Sequence, residues 1–337
     1  QARALKARMD WAACAPPQPG FIGRRVFRNA DLAELAACID WGPFFQTWDL
    51  AGRYPAILDD AVVGEQARKV FADARAMLDK AIAGRWLQAH GVLALLPANT
   101  VDDDTIEIYT DASRTQVAMR WRPLRQQTER PTDPGPDGQP ISRPYRCLAD
   151  FIAPKAGSAA AAGLPAAACA DHIGLFAVSA GHGIEARIAQ FEAQHDDYSA
   201  ILLKALADRL AEAFAERLHQ RVRTELWGYA RDEALSNEQL IAEAYRGIRP
   251  APGYPACPDH HVKRAMFELL GAAEIGMGLT ENLAMTPAAS VSGFYLAHPQ
   301  ARYFNVGRIG EDQLAEWASG EGLPLEQARR LLAPVLG

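Results

Sequence analysis

An arginine held among prolines makes a stiff anion clamp, and Arg249 stands in that setting within RGIRPAPGYPACPDHH (246–261). Pro250, Pro252 and Pro255 fix their own φ angles and push each preceding residue toward extended backbone. Gly253 is the position that can turn, or let a ligand touch the backbone. Arg249 and Tyr254 then project in set directions, and a preordered loop loses less entropy on binding. The guanidinium fork suits a carboxylate, and carbonyls left free by the prolines suit an ammonium group. A small zwitterion is the ligand this spacing points to. A structural turn, with Arg249 in an internal ion pair, is the alternative.

Two further constellations need weighing. In AVSAGHGIEARI, Gly181, Gly183 and Ala186 form G-x-G-x-x-A after an expected strand and before an expected helix, the local context of a dinucleotide fingerprint. The second parallel strand of a βαβ unit is missing downstream, so a plain glycine turn accounts for these residues better. Cys257, His260 and His261 with Glu268 could be read as zinc ligands, but C-x-x-H-H sets two ligands side by side. Asp259 before an apolar-periodic run reads instead as a helix cap, leaving the histidines in a first helical turn.

Several elements must position these residues. DDYSAILLKALADRLAEAFAERLHQRVRTELWGY carries Leu202, Leu206, Leu210, Phe214, Leu218 and Val222 on one face and predicts a long helix. Asp31 caps a leucine-spaced helix in NADLAELAACIDW, and residues 63–82 predict another. GVLALLPAN, DTIEIYTD, RTQVAMRWRP, RCLADFIAP and DHIGLFAVSAG read as strands. SNEQLIAEAYRG and DHHVKRAMFELLG read as helices, followed by a strand pair in LTENLAMTPAASVSGFYLAHPQARYFNVGRI and a C-terminal helix pair. Residues 1–30 predict a short basic helix and then a Pro/Gly linker, while KAGSAAAAGLPAAACA is low-complexity. Strands and helices come in blocks, which favours α+β over a doubly wound sheet.

Composition narrows the class further. The 337 residues are 49% apolar and 23% charged, as in an ordinary folded protein, with net charge −6. That field gives no reason to expect nucleic acid as a partner. Five scattered cysteines without a C-x-x-C pair suit reduced thiols, and the longest apolar run is too short for a bilayer. With no signal peptide in view, the expectation is a cytoplasmic protein without a membrane partner.

The blocks LADFIAP, FEAQHDDYSAILLKALADRLAEAFAERLH, WGYARDEALSNEQLIAEAYRGIRPAPGYPACPDH, LTENLAMTPAASVSGFYLAHP and ARYFNVGRIGEDQ resemble the C-terminal activation domain of cobalamin-dependent methionine synthase. IDWGPFFQTWDLAGRYP and LRQQTE belong to the same pattern, and the resemblance spans residues 30–337. It departs at the Ala/Gly stretch near 156–170 and at a longer Pro/Gly loop near 130–140. The resemblance implies a C-shaped α+β domain with a central antiparallel sheet flanked by helices, not a Rossmann methyltransferase. Residues 1–29 would then be a linker from a preceding cobalamin-binding module. The implied activity is reductive remethylation: S-adenosylmethionine is bound and its methyl presented to inactive cob(II)alamin, with a flavodoxin-type protein as electron donor. Methylcobalamin is thereby regenerated for methionine synthesis.

The resemblance also assigns residues. Asp150 would take the methionyl amino group and Arg249 the carboxylate. Ala251 and Gly253 would contribute backbone contacts, with Tyr254, Tyr303 and Phe304 lining the ligand. Glu212 and Glu243 would lie near the reacting end, or else be solvated charges. Asp150 and Arg249 could pair with each other when no ligand is bound. No protein metal site or catalytic acid–base group is implied, and D-x-H-x-x-G, the motif that ligates cobalt, is absent from the sequence, as are zinc-cysteine and folate modules. A flavodoxin-docking patch would fall around Arg120, Arg122 and Arg125. Two alternatives remain: an interaction module that docks flavodoxin or caps cobalamin without binding a ligand, and an independent metal or nucleotide enzyme.

Overall fold

The structure, a computed structural model, describes residues 2–127, 132–134 and 140–337; most of the Pro/Gly loop near 130–140 lies outside the described residues. The chain enters through a 3-10 turn (Ala2–Leu5) and an irregular strap before β1 (Gly23–Phe27). The helix expected over the first residues is confined to that turn. Pro16, Pro17 and Pro19 cannot continue a helix, and Trp11 is instead buried edge-on against His298, 4.7 Å between ring centroids. Next come α1 (Leu32–Ala36), α2 (Gly42–Thr47) and α3 (Gly64–Ala83). Asp31 caps α1 by accepting the Ala33 and Glu34 amides, as its position predicts.

Four antiparallel elements follow: β2 (Gln88–Thr100), β3 (Ile106–Tyr109), β4 (Val117–Trp121) and the small ladder of β5 (Thr132–Pro134) with β6 (Pro140–Ser142). Then come β7 (His172–His182), α4 (Ile184–Ala193) and α5 (Asp197–Arg221). The last part holds α6 (Asn237–Ile241), α7 (Lys263–Leu270), β8 (Gly278–Leu279), β9 (Met285–Thr286), β10 (Ser290–Tyr295), α8 (Glu311–Glu321) and α9 (Leu325–Leu331). The main sheet runs β10-β7-β2-β3-β4, with β1 also paired to β2, and every pairing is antiparallel. This excludes the dinucleotide unit, because β7 has no parallel partner. The glycine turn is real: Gly183 sits at φ 84 before α4, and a Cβ at Gly181 would come within 2.9 Å of Pro287.

Both faces of the sheet are covered, which is why β2 and β7 read as near-continuous apolar runs. Leu93, Leu95, Phe176 and Val178 face a core built with α3 and α5, while Val92, Ala94, Leu175 and Ala177 face a second core with α7. The periodic face of α5 (Leu202, Leu206, Leu210, Phe214, Leu218) lies in the first core. α8 and α9 close over a smaller cluster around Leu314 and Trp317.

Two local expectations change. RCLADFIAP forms a buried 3-10 turn (Leu148–Phe151) rather than a strand, because the Asp150 carboxylate bends back to accept the Cys147 amide at 2.8 Å. α6 stops at Ile241, well before Gly247, and Glu243 takes a left-handed φ of 55°. The basic patch around Arg120, Arg122 and Arg125 also dissolves. Arg125 is 1% exposed and clamped between Asp104 and Asp150, while Arg120 pairs with Glu107 and Arg122 with Glu321. Among the described residues, no helix is long and apolar enough to cross a membrane.

Candidate functional site

Arg249 is placed by an extended segment that adds itself to the edge of β10. Ile248 exchanges both backbone hydrogen bonds with Leu296, and Pro250 O accepts the Phe294 amide at 2.9 Å. This approach needs Gly293, where a Cβ would stand 2.6 Å from Pro250 O. Beyond it the chain makes tight turns: the Tyr254 amide donates to Ala251 O, the Cys257 amide to Tyr254 O, and the Gly253 amide to Cys257 O. Gly253 sits at φ 95, and a side chain there would collide with the His260 ring. The carbonyls of residues 250, 251, 254, 255 and 257 all accept protein N–H groups, so the expected row of free carbonyls is largely spent on holding the loop.

A second segment locks this loop from outside. The Arg249 amide donates to the Tyr303 hydroxyl at 2.9 Å, and the Val306 amide donates to Pro255 O at 2.9 Å. Tyr303 and Phe304 thereby line the same cleft as the proline loop.

The opposite wall is α5. Arg209, Glu212, Glu216 and His219 fall at spacings of three and four, a polar stripe beside the apolar one. Arg249 Nη1 donates to Glu216 Oε2 at 3.0 Å and lies 3.3 Å from His219 Nδ1. His219 is fully buried, stacked on Tyr295 and edge-on to Tyr245. Where α5 ends, a π-helical turn (Val222–Leu226) carries the buried Arg223, which binds Glu233 in bidentate fashion at 2.7 and 2.8 Å. Arg223 Nη2 also approaches Glu216 Oε1 to 3.8 Å.

Two adjoining cavities open on Arg249. One, of about 510 Å³, is lined by Glu212, Glu243, Arg249, Ala251, Tyr254, Tyr303 and Phe304, with Phe176 and Val291 as apolar floor. The other, of about 340 Å³, shares Glu212, Glu243, Arg249 and Tyr254, and adds Cys38, Asp40, Arg209, Glu216 and Tyr245. Both volumes are of the size that takes small organic ligands. The structure thus gathers the residues expected from sequence with two exceptions. Gly253 shapes the loop without lining the cleft. Asp150 lies elsewhere, beside Lys6, Met9 and Trp11, with both its oxygens accepting from Arg125 at 2.8 and 3.0 Å. Asp150 and Arg249 each find an internal partner, and that partner is not the other.

The sequence reading missed Asp40, Glu216 and His219. Asp40 sits at the start of α2, where its carboxylate accepts the Gly42 amide at 2.9 Å. The helical spacing from Glu212 was the signal for Glu216 and His219; nothing local marked Asp40.

Charge is unevenly spread. Asp40, Glu212, Glu216 and Glu243 face two guanidiniums, Arg209 and Arg249. Burial pulls against protonation of Arg249, but Glu216 and the surrounding tyrosines hold it charged, with its pKa above the usual arginine value. Burial and then the Arg223 and Arg249 charges keep His219 neutral, well below the usual histidine pKa. Loss of water, reinforced by Glu216, raises Glu243 although Arg249 opposes it. Glu212, ahead of burial, raises Tyr254. A cleft of this kind can clamp a carboxylate at one end and accept positive charge along its other walls. Cys257, His260 and His261 do not converge, and among the described residues no three His, Cys, Asp or Glu side chains are grouped to hold a metal ion.

Residues 31–322 match the family described as vitamin B12 dependent methionine synthase, activation domain. A solved structure, the crystal structure of the MetH reactivation domain bound to AdoHcy, is 49% identical in sequence, with a TM-score of 0.90. The match covers 100% of this chain and 97% of that one.

Proposed function

The chain belongs to the activation-domain family of vitamin B12 dependent methionine synthase, a methyltransferase, and on that premise we propose that it binds S-adenosylmethionine in the Arg249 cleft. The observation that carries the reading is the free side of Arg249. Nη1 is taken by Glu216 and His219, whereas no described residue takes Nε or Nη2, and the residue lines both cavities. A methionyl carboxylate fits that open side. AdoHcy, the ligand of the 49% identical neighbour, differs from S-adenosylmethionine by one methyl group and its charge.

Asp40 takes the place that the sequence reading gave to Asp150, as the acid for the methionyl ammonium, because it lines the cleft and Asp150 does not. Glu212 and Glu243 flank the sulfonium, where a carboxylate attracts more strongly as both groups lose water. Ala251, Tyr254, Tyr303 and Phe304 wall in the nucleoside, and Gly253 keeps the loop in shape.

The reaction asks little acid–base chemistry of this chain. On methyl transfer the C–S bond breaks with its electron pair left on sulfur, so no proton moves and the sulfonium becomes a neutral thioether. The residues' work is to fix the sulfonium in line with the acceptor and to exclude misaligned poses. A cobalamin held on a separate module of the parent protein would supply the methyl acceptor, once reduced with an electron from a flavodoxin-type donor. Residues 1–29 fit a strap leading from that module: Trp227 Nε1 donates to Pro17 O, and the Gly20 amide to Leu226 O.

Calorimetric titration of S-adenosylmethionine into the chain and into Arg249→Ala tests the proposal. Binding weakened by loss of a charge-assisted pair, about 1.5–3 kcal/mol or roughly 10- to 150-fold, is the expected result. No binding by the intact chain overturns the ligand assignment and leaves docking to the cobalamin module as the function.

A further inference from the structure

We propose that Glu216 is the positioning residue for Arg249, a peg that holds the guanidinium aimed into the cleft. This rests on the reading of the cleft as a carboxylate site. Arg249 is long and lines a cleft that also holds Glu212 and Glu243. With nothing to hold it, the side chain would swing to either acid in the ligand-free protein and present the wrong edge to an incoming carboxylate. Glu216 prevents this by taking Nη1 at 3.0 Å from a partly buried site, 13% exposed.

The peg is itself braced. His219, one turn along α5, accepts from the same Nη1, so its Nδ1 carries no proton, and its ring is fixed between Tyr295 and Tyr245. Behind Glu216 stands Arg223, fully buried and held by Glu233. Among the described residues, Glu216 Oε1, Arg223 Nη1, His219 Nε2, Tyr229 Oη and Tyr295 Oη are buried polar atoms without a protein hydrogen-bond partner, and these five side chains belong to one electrostatic neighbourhood around Glu216 and Arg223. Glu216 and His219 thus hold one edge of Arg249, leaving the other for a ligand.

Two variants separate reach from charge. Glu216→Gln keeps the acceptor at the same reach without its charge, while Glu216→Asp keeps the charge but withdraws it by one methylene. Each is titrated with S-adenosylmethionine and with 5′-methylthioadenosine, which lacks the methionyl carboxylate. The expected pattern is S-adenosylmethionine bound by Glu216→Gln as well as by the parent chain or better, and about tenfold more weakly by Glu216→Asp. Methylthioadenosine binding is unchanged in both. Weaker S-adenosylmethionine binding by Glu216→Gln, with Glu216→Asp binding like the parent chain, would show a counter-charge rather than a peg, and parallel loss of both ligands would show general damage; either result overturns the proposal. Binding of S-adenosylmethionine by the parent chain with no difference among variants sinks the peg alone. A parent chain that binds neither ligand sinks the function it rests on.

Discussion

Replacing Gly293 by alanine tests whether the proline loop owes its place to β10. The added Cβ would stand 2.6 Å from Pro250 O and 3.0 Å from Phe176 Cε1, closer than ordinary contacts. Phe176 is fully buried and stacked on Tyr295 at 4.7 Å, so it has little room to yield. The loop must therefore move off the strand and lengthen the Phe294–Pro250 hydrogen bond. Overpacking costs about 1–3 kcal/mol, and loss of the hydrogen bond about 0.5–1.5 kcal/mol. Alanine returns about 0.5–1 kcal/mol over glycine in a strand. The net is a destabilisation of about 2 kcal/mol. For 337 residues the unfolding entropy is about 0.7 kcal/mol/K, which makes this a fall of about 3 °C in Tm. Because Arg249 directly precedes Pro250, S-adenosylmethionine binding should weaken several-fold in the same variant. Urea denaturation and calorimetry on one preparation measure both. A Gly293→Ala chain with wild-type stability and wild-type affinity would refute the claim that this backbone contact positions Arg249.

Other outcomes follow from the same structure. Asp40→Asn keeps an acceptor for the Gly42 amide and should fold normally, yet bind S-adenosylmethionine about tenfold more weakly by calorimetry. Asp150→Asn should do the reverse, losing about 1–3 kcal/mol of stability in urea as Arg125 keeps only Asp104 for full charge pairing, with affinity unchanged. His298 is 5% exposed, and burial first and the Arg246 charge second lower its pKa to about 4, while its Nδ1 accepts the Gln300 amide. Because the unfolded chain binds that proton more readily, the neutral ring's contribution is full above about pH 6.5 and is lost as pH falls toward 4. His298→Gln should flatten the stability profile measured across that window. Trp227→Phe removes the donor to Pro17 O and should speed proteolytic cleavage within residues 10–22 by several-fold.

Long-range periodicity was the part of the fold most legible in the sequence. The apolar face of α5, the cap at Asp31 and the strands β3 and β4 appear where spacing puts them, although only β4 alternates in burial and β3 is buried throughout. Order in blocks led to an antiparallel α+β sheet, as observed. The misses are segments where a side chain overrides propensity. LADF reads as a strand until Asp150 turns back to cap Cys147 and to neutralise Arg125. The first residues read as a helix until Trp11 finds His298 nearly three hundred positions away.

The cleft shows the same division more sharply. Arg249 and Tyr254 could be found from three prolines and a glycine, because stiffness is a local property. Their acidic partners could not. CIDW and LADF each set an aspartate after an apolar pair and before an aromatic, and nothing within either tetrapeptide says which one lines the cleft. Topology decides. The CIDW turn enters α2, where Asp40 faces α5 across the cavity that Arg249 closes, whereas LADF folds beneath the N-terminal strap and spends its carboxylate on a buried arginine. Glu216 lies between these cases. Its spacing from Glu212 and His219 was visible as a stripe, but only the approach of residues 248–250 to β10 brings a guanidinium onto that stripe. The contact between Arg249 and Glu216 thus joins two separate stretches, and the close approach that brings them together runs past Gly293, a residue with no chemistry of its own.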